Sequence, residues 1–258
     1  VLDDGGSALD AVAAAVVSME DSGVFNAGRG GVPTSAGMVE TDAAVMGLAP
    51  DGPGNWREVS GAACAMTWAA NPVLVARAVA DVGDAILLAG TGADRFAEAA
   101  GLRRRDEAGL THGGTAPVSQ MGTVGAVAVD RDGHLAAATS TGGRKGQPPG
   151  RVGDSPVIGA GTWAAEGGVA VSATGDGEAF IRAGFAHRID AAARAGTDLE
   201  RAAREALLEA ERWRGVGGAI VLSPTGDLVV LYDTPSMARG WRSTGATVAE
   251  LIGPDDPA

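Results

Sequence analysis

Apolar positions recur along the chain with two different periods, helical and strand-like, and the texture changes after a linker near its middle. In the first half, residues 7–20 place Ala, Val and Leu at helical spacing. This predicts a helix with Ser7 as N-cap and Asp10, three positions on, as its box partner. Residues 21–31 form a glycine-rich loop, residues 38–46 a strand with imperfect alternation, and residues 50–55 a Pro/Gly/Asn turn that leads to a strand around 59–66. Asn71-Pro72 predicts a helix start, with Asn as cap and Pro at the first helical position, running to about Asp81. A short strand follows at 84–89, then a helix carrying Phe96 and capped by Thr91. Neither period survives over 101–121, so that stretch reads as a linker and its arginine run, residues 103–105, as a solvated face.

Past the linker, short apolar runs dominate. Residues 124–130 and 135–139 flank an Asp-Gly turn, and residues 217–222 and 228–232 flank a second turn, so each pair predicts an antiparallel hairpin. Between them lie a strand at 169–173 and helices at 178–195 and 198–213. Hairpins enclosing a helical pair predict stacked sheets covered by helices, an α/β layered (α+β) architecture rather than a doubly wound parallel sheet. The likeness of the two hairpins reflects shared turn chemistry, and no short solenoid period is visible.

Composition sharpens this picture. Of 258 residues, 41 are Gly and 52 are Ala, and aromatic residues make up only 4%, so the core must be small side chains packed closely. The glycines lack the three-residue period of collagen, and a hydrophobic share of 45% argues against disorder. Thirty-two acidic against 20 basic residues give a formal charge of −12, which disfavours nucleic acid and anionic membrane as partners. A single cysteine, Cys64, excludes an internal disulfide and reads as a small buried hydrophobe. His112, His134 and His187 follow no zinc spacing. With no run of 18 apolar residues and no signal-like start, a cytoplasmic, soluble protein is expected.

Four segments concentrate chemistry: Gly122-Thr-Val-Gly-Ala-Val-Ala-Val-Asp130, Thr139-Ser-Thr-Gly-Gly143, Gly150-Arg-Val-Gly-Asp-Ser-Pro156 and Ser172-Ala-Thr-Gly-Asp-Gly-Glu178. They place hydroxyls, an arginine, carboxylates and backbone N–H groups at strand ends and on loops, where sites commonly lie. Taken alone, they suit a hydrolytic site or ordinary turns, and Arg151 with Asp154 suits a surface ion pair. Gly28-Arg-Gly-Gly31 lacks dinucleotide spacing and Lys145 lies outside any phosphate-loop run.

Together with Phe25-Asn-Ala-Gly28, Gly5-Gly-Ser-Ala-Leu-Asp-Ala-Val12 and Arg239-Gly-Trp241, these segments resemble, in order and over nearly the whole chain, the plant-type L-asparaginase/isoaspartyl peptidase family of N-terminal-nucleophile hydrolases. The resemblance implies one domain over 1–258, folded as a four-layer αββα sandwich and lacking the family's first strand. It implies self-cleavage between Gly122 and Thr123, giving an α subunit 1–122 (with the linker at about 101–122) and a β subunit 123–258. The expected activity is hydrolysis of L-asparagine and β-aspartyl dipeptides, small-molecule substrates, through a threonine acyl-enzyme and without a catalytic cofactor. Thr123 would be the nucleophile, and cleavage would give it an α-amine base of ordinary pKa about 7.7–8.0.

By motif match, Thr141 hydrogen-bonds around the nucleophile and Thr174 with Gly175 supplies the oxyanion donors. Thr139, beside them, reads as strand packing. Arg151 takes the substrate α-carboxylate, and Asp154 takes the α-ammonium with help from the Gly177 carbonyl. Asn26 matches an active-site asparagine. The resemblance further implies a structural sodium wrapped by backbone carbonyls of Met19, Glu20, Ser22, Phe25, Ala27 and Arg29, and a dimer of αβ units. Two alternatives stand beside this reading: a glycosylasparaginase-like amidase, which normally has Asp where Gly122 stands, and an inactive homologue serving as a binding or scaffold protein.

Overall fold

The computed structural model describes residues 1–52, 54–106 and 122–243, with the strand backbone of 246–250. Helix α1 (Ala8–Ser22) starts at Ser7, whose hydroxyl oxygen accepts from the Asp10 N–H at 3.1 Å. The box is incomplete, because the Asp10 carboxylate takes the Ser7 hydroxyl (2.8 Å) instead of reaching back to the backbone. A 3-10 turn at Gly28–Gly30 leads to strands β1 (Thr41–Pro50) and β2 (Trp56–Met66). After helix α2 (Pro72–Val82) come β3 (Leu87–Ala89) and helix α3 (Gly90–Ala99).

The second half contributes β4 (Val124–Val129), β5 (Leu135–Thr141), β6 (Thr162–Ala164) and β7 (Ala170–Gly175). Helices α4 (Gly177–Ala183), α5 (Phe185–Arg194) and α6 (Leu199–Arg212) follow, then β8 (Gly217–Leu222), β9 (Leu228–Tyr232), β10 (Arg239–Ser243) and β11 (Ala246–Glu250). A five-stranded sheet runs β3-β2-β1-β5-β4, antiparallel except where β3 joins β2, and a four-stranded antiparallel sheet runs β6-β7-β8-β9. The mixed α/β composition and both hairpins agree with the sequence pattern; among the described residues β10 pairs only with β11.

Helix α1 packs on β4 and β5, and α2 packs on β1 and β2. The other side of β4 and β5 meets β6 and β7, while α5 and α6 cover β7 to β9. Strand β5 shows what this does to the pattern. Ala136 and Ala138 enter the core shared with Leu9, Val12 and Val16 of α1, whereas Leu135 and Ala137 join Ala164 and Ala170 between the sheets. A strand covered on both faces has no polar side, so alternation vanishes. Successive side chains still point to opposite faces, which sends Thr139 and Thr141 toward the second sheet and Ser140 toward the helices.

Several local expectations shift. β1 begins at Thr41 rather than 38 and extends to Pro50, and β2 starts at Trp56. Asn71 occupies the N-cap of α2 but makes no cap bond; the Glu20 carboxylate accepts from the Val73 N–H at 3.0 Å and does that work from α1. Thr91 lies inside α3, whose N-cap position is Ala89. The helix expected over 178–195 breaks at Gly184, φ +58°, into α4 and α5. Arg105 is buried, donating to the Val39 carbonyl (3.2 Å) and the Thr41 hydroxyl (3.0 Å), so the arginine run is not uniformly solvated. Most of the expected linker, residues 107–121, lies outside the described residues.

Candidate active site

The β4–β5 register pairs Gly125 with Thr139 and Val124 with Ser140, which brings Thr123, just before β4, opposite Thr141. Thr123 Oγ1 donates to Thr141 Oγ1 at 3.1 Å, and the same Thr141 oxygen accepts from the Gly143 N–H at 3.1 Å. The Thr123 hydroxyl is thus aimed by a partner that is itself fixed by backbone.

Beneath this pair the facing sheets lock through hydroxyls. Thr139 Oγ1 lies 2.7 Å from Ser172 Oγ of β7, Thr162 donates to Thr139 at 2.7 Å, and Thr139 donates to the Gly161 carbonyl at 3.2 Å. All three hydroxyl residues are buried. The close approach needs Gly125, since a Cβ there would stand 1.9 Å from Ser172 Oγ. Two positions further along β7, Thr174 presents its hydroxyl beside Gly122; a Cβ on Gly122 would lie 3.4 Å from Thr174 Oγ1. Gly175 ends the strand with the Val216 carbonyl and the Phe180 ring packed where a side chain would go.

Charged groups sit on the loop after β5 and at the start of α4. Arg151 is largely buried, and its guanidinium forms a two-point fork with Glu178, Nε to Oε1 and Nη2 to Oε2 both at 3.0 Å. Arg144 reaches the same carboxylate at 3.2 Å. These guanidiniums, with Arg151 foremost, hold the Glu178 carboxyl well below the usual range, at about 2. Asp154 is the opposite case: burial pushes its carboxyl up to about 7, and its Oδ2 has no hydrogen-bond partner among the described residues. Gly177 lies tightly against both, for a Cβ on it would stand 3.0 Å from Arg151 Nη2 and from Asp154 Oδ1.

Thr123, Thr141, Arg151, Asp154 and Gly175 line one cleft, joined there by Arg144. Asn26 stands behind it. Its Nδ2 donates to the Gly143 carbonyl at 2.6 Å, its Oδ1 accepts from Val32 N–H at 3.1 Å, and its own carbonyl accepts from Gly142 N–H at 2.8 Å. It therefore holds the Gly142-Gly143 turn that in turn holds Thr141. Glu178, Arg144 and Ser172 had no role read from sequence. Glu178 and Ser172 fall inside the segments singled out, but what they touch lies 27 and 33 residues away along the chain. Cys64 is buried, and burial followed by the nearby Asp42 charge pushes its thiol up to about 11, which suits the inert role expected of it.

The asparaginase family model matches residues 1–114 and 110–251. The chain belongs to the asparaginase family. It is accordingly a hydrolase acting on amides. It is 40% identical to an isoaspartyl peptidase of Escherichia coli (strain K12), over 96% of this chain and 82% of that protein. It is 39% identical to an isoaspartyl peptidase/L-asparaginase of Homo sapiens, over 92% and 80%, and 39% identical to a plant-type L-asparaginase of Pyrobaculum calidifontis, over 95% and 87%. Among the described residues no helix is long and apolar enough to cross a membrane.

Proposed function

We propose that this family member hydrolyses L-asparagine and β-aspartyl dipeptides through an acyl-enzyme on Thr123, after cutting its own chain between Gly122 and Thr123. The observation that carries the proposal is the 3.1 Å contact of the Thr123 and Thr141 hydroxyls in the cleft that also presents Arg151 and Asp154. The names of the relatives, isoaspartyl peptidase and L-asparaginase, support the substrate class.

In self-cleavage the Thr123 oxygen attacks the Gly122 carbonyl carbon and gives up its proton, the peptide C–N bond breaks as an ester forms, and the nitrogen takes that proton and leaves as the α-amine of Thr123. Water then hydrolyses the ester. In turnover that amine takes the hydroxyl proton while Oγ1 attacks the substrate side-chain carbonyl. The Thr174 hydroxyl and Gly175 N–H receive the oxyanion, and each such donor is worth roughly 3–4 kcal/mol in the transition state. The amine returns the proton to the departing ammonia or amino acid, and water releases aspartate from the ester.

Arg151 receives the α-carboxylate. Glu178 occupies the Nε/Nη2 edge of the guanidinium, and the other end, whose Nη1 makes only a long 3.4 Å contact to Gln147 Oε1, supplies the second edge of the fork. Asp154 receives the α-ammonium with the Gly177 carbonyl, and an arriving cation meets the need of a buried carboxyl that has no cationic partner in hydrogen-bond contact.

Three further parts belong to this proposal. The packing of α1 and α2 on one sheet and of α5 and α6 on the other supports a four-layer αββα sandwich. The loop over residues 19–29 would hold sodium. The Met19, Phe25 and Ala27 carbonyls already accept from Ser22 Oγ, Ala27 N–H and Gly30 N–H, yet each keeps a second lone pair, and oxygen donors suit a hard cation. The mature unit would be a dimer of αβ pairs.

Denaturing electrophoresis with N-terminal sequencing, followed by aspartate release from β-Asp-Leu, L-asparagine and glycosylated asparagine, tests the reading. A fragment beginning at Thr123 and turnover of the first two substrates are expected, with both lost in Thr123→Ala. Preference for glycosylated asparagine overturns the substrate assignment, and a persistently intact, inactive chain overturns the mechanism.

A further inference from the structure

Asp42 is buried in β1 directly opposite Thr141 of β5, at 2% exposure. Here the register of β1 with β2 slips: Thr41 pairs with Met66 and Ala43 with Ala63, so Cys64 and Ala65 together oppose Asp42. The extra residue forces Ala65 to φ +51°, a left-handed conformation that residues with a Cβ disfavour. What holds the bulge is the Asp42 side chain, whose Oδ1 accepts from the Ala65 N–H at 2.7 Å. A strained alanine and a buried carboxyl thus replace an ordinary strand pair beside the cleft, a combination that clusters at functional sites.

The other oxygen of Asp42 is buried and has no hydrogen-bond partner among the described residues, an acceptor in reserve, and the Gly153 N–H and the Arg151 charge both act on this carboxyl from nearby. Gly153 lies between Arg151 and Asp154, the residues assigned above to the substrate α-groups.

We propose that Asp42 is a positioning residue for substrate recognition: anchored by the Ala65 bulge, its free oxygen draws in the Gly153 N–H and thereby sets the spacing of Arg151 and Asp154 around an aspartyl substrate. The inference rests on the reading under Proposed function and adds to it a residue outside the quoted motifs.

Asp42→Asn separates this role from simple support. An asparagine can keep its oxygen on the Ala65 N–H, which preserves the bulge, but it then turns an NH2 group toward the Gly153 N–H, donor against donor. Steady-state kinetics on β-Asp-Leu, normalised to the amount of chain beginning at Thr123, should show KM raised at least about tenfold with kcat within about threefold of the unsubstituted enzyme. If Asp42→Asn does not fold, the double variant Asp42→Asn/Ala65→Gly, which removes the penalty at φ +51°, gives the same measurement against Ala65→Gly alone. An unchanged KM, or a loss confined to kcat, overturns the inference while the substrate assignment stands. A parent enzyme that releases no aspartate overturns the assignment and the inference with it.

Discussion

Arg151 and Glu178 meet edge to edge, with two N–H groups of the guanidinium donating to the two carboxylate oxygens at 3.0 Å each. The cation proposed for the substrate carboxylate therefore has its direction fixed by its own chain before any substrate arrives. A planar fork held along one side can turn only about that side, and so its far end is aimed.

Loss of that aim should appear in binding rather than in chemistry. Glu178→Gln is expected to raise KM for β-Asp-Leu about threefold to tenfold, equivalent to about 0.7–1.4 kcal/mol, with kcat nearly unchanged. The effect stays small because Glu178 is itself well exposed and solvent screens the pair. Since its carboxyl is held at about 2, the pair contributes above the ordinary glutamate range and is lost as pH falls from about 4.5 toward 2. KM of the parent enzyme should accordingly show no pH dependence arising from Glu178 above pH 5.

Asp154 gives a different pH signature. Its carboxyl, pushed up by burial to about 7, must ionise to receive an ammonium group. Calorimetric titration of the self-cleaved parent enzyme with L-aspartate, which it does not hydrolyse, should give an affinity that weakens as pH drops below about 7. Succinate, which lacks the ammonium, should not share that step. Equal pH dependence for both ligands would remove Asp154 from ammonium recognition.

Glu20 couples pH to stability rather than to binding. It is fully buried, and burial raises its carboxyl to about 7 while Oε1 caps α2. A carboxyl whose folded pKa is raised contributes its stability below the unfolded value, near 4.5, and loses it as pH rises through 7. Glu20→Gln retains the acceptor for Val73 but cannot ionise. It should melt close to the parent at pH 5 and be more stable by roughly 1–3 kcal/mol at pH 8, measured by thermal denaturation at both values.

The hydroxyl contact between the sheets leaves no room for growth. Gly125→Ala would push a methyl into Ser172 and should cost about 1–3 kcal/mol, a fall in Tm of about 2–4 °C per kcal/mol for a chain of this size. Against a Ser172→Gly background, which has its own cost through the lost Thr139 contact but lacks the obstructing atoms, the same Gly125→Ala change should cost far less. An equal cost in both backgrounds would place the strain elsewhere.

The sequence carried the helix capped by Ser7 and both hairpins, because caps and turns are local chemistry. It misplaced the start of β1, because β1 is buried at nearly every position and offers no polar alternation to read. The threonines, Arg151 and Asp154 were legible only as segments matching a family in order, and the fold brings Thr123, Thr141, Arg151 and Asp154 into one cleft. Asp42, Glu20 and Glu178 were given no catalytic or recognition role of their own. Nothing near Glu20 in sequence announces that it caps a helix 53 residues away, and Asp42 matters through a bulge that exists only once β1 and β2 have paired.

Gly184 gives the break between α4 and α5 a mechanical meaning. By turning the chain there, it lets Phe180 and Phe185 stack nearly parallel, at 4.3 Å between ring centres and 9° between planes. Phe180 is the ring that fills the space behind Gly175. The backrest of that glycine is thus an aromatic double layer whose alignment is tuned by a hinge nine residues away. A substitution at this hinge, where φ is +58°, would soften the strand end at which the proposed oxyanion would be received.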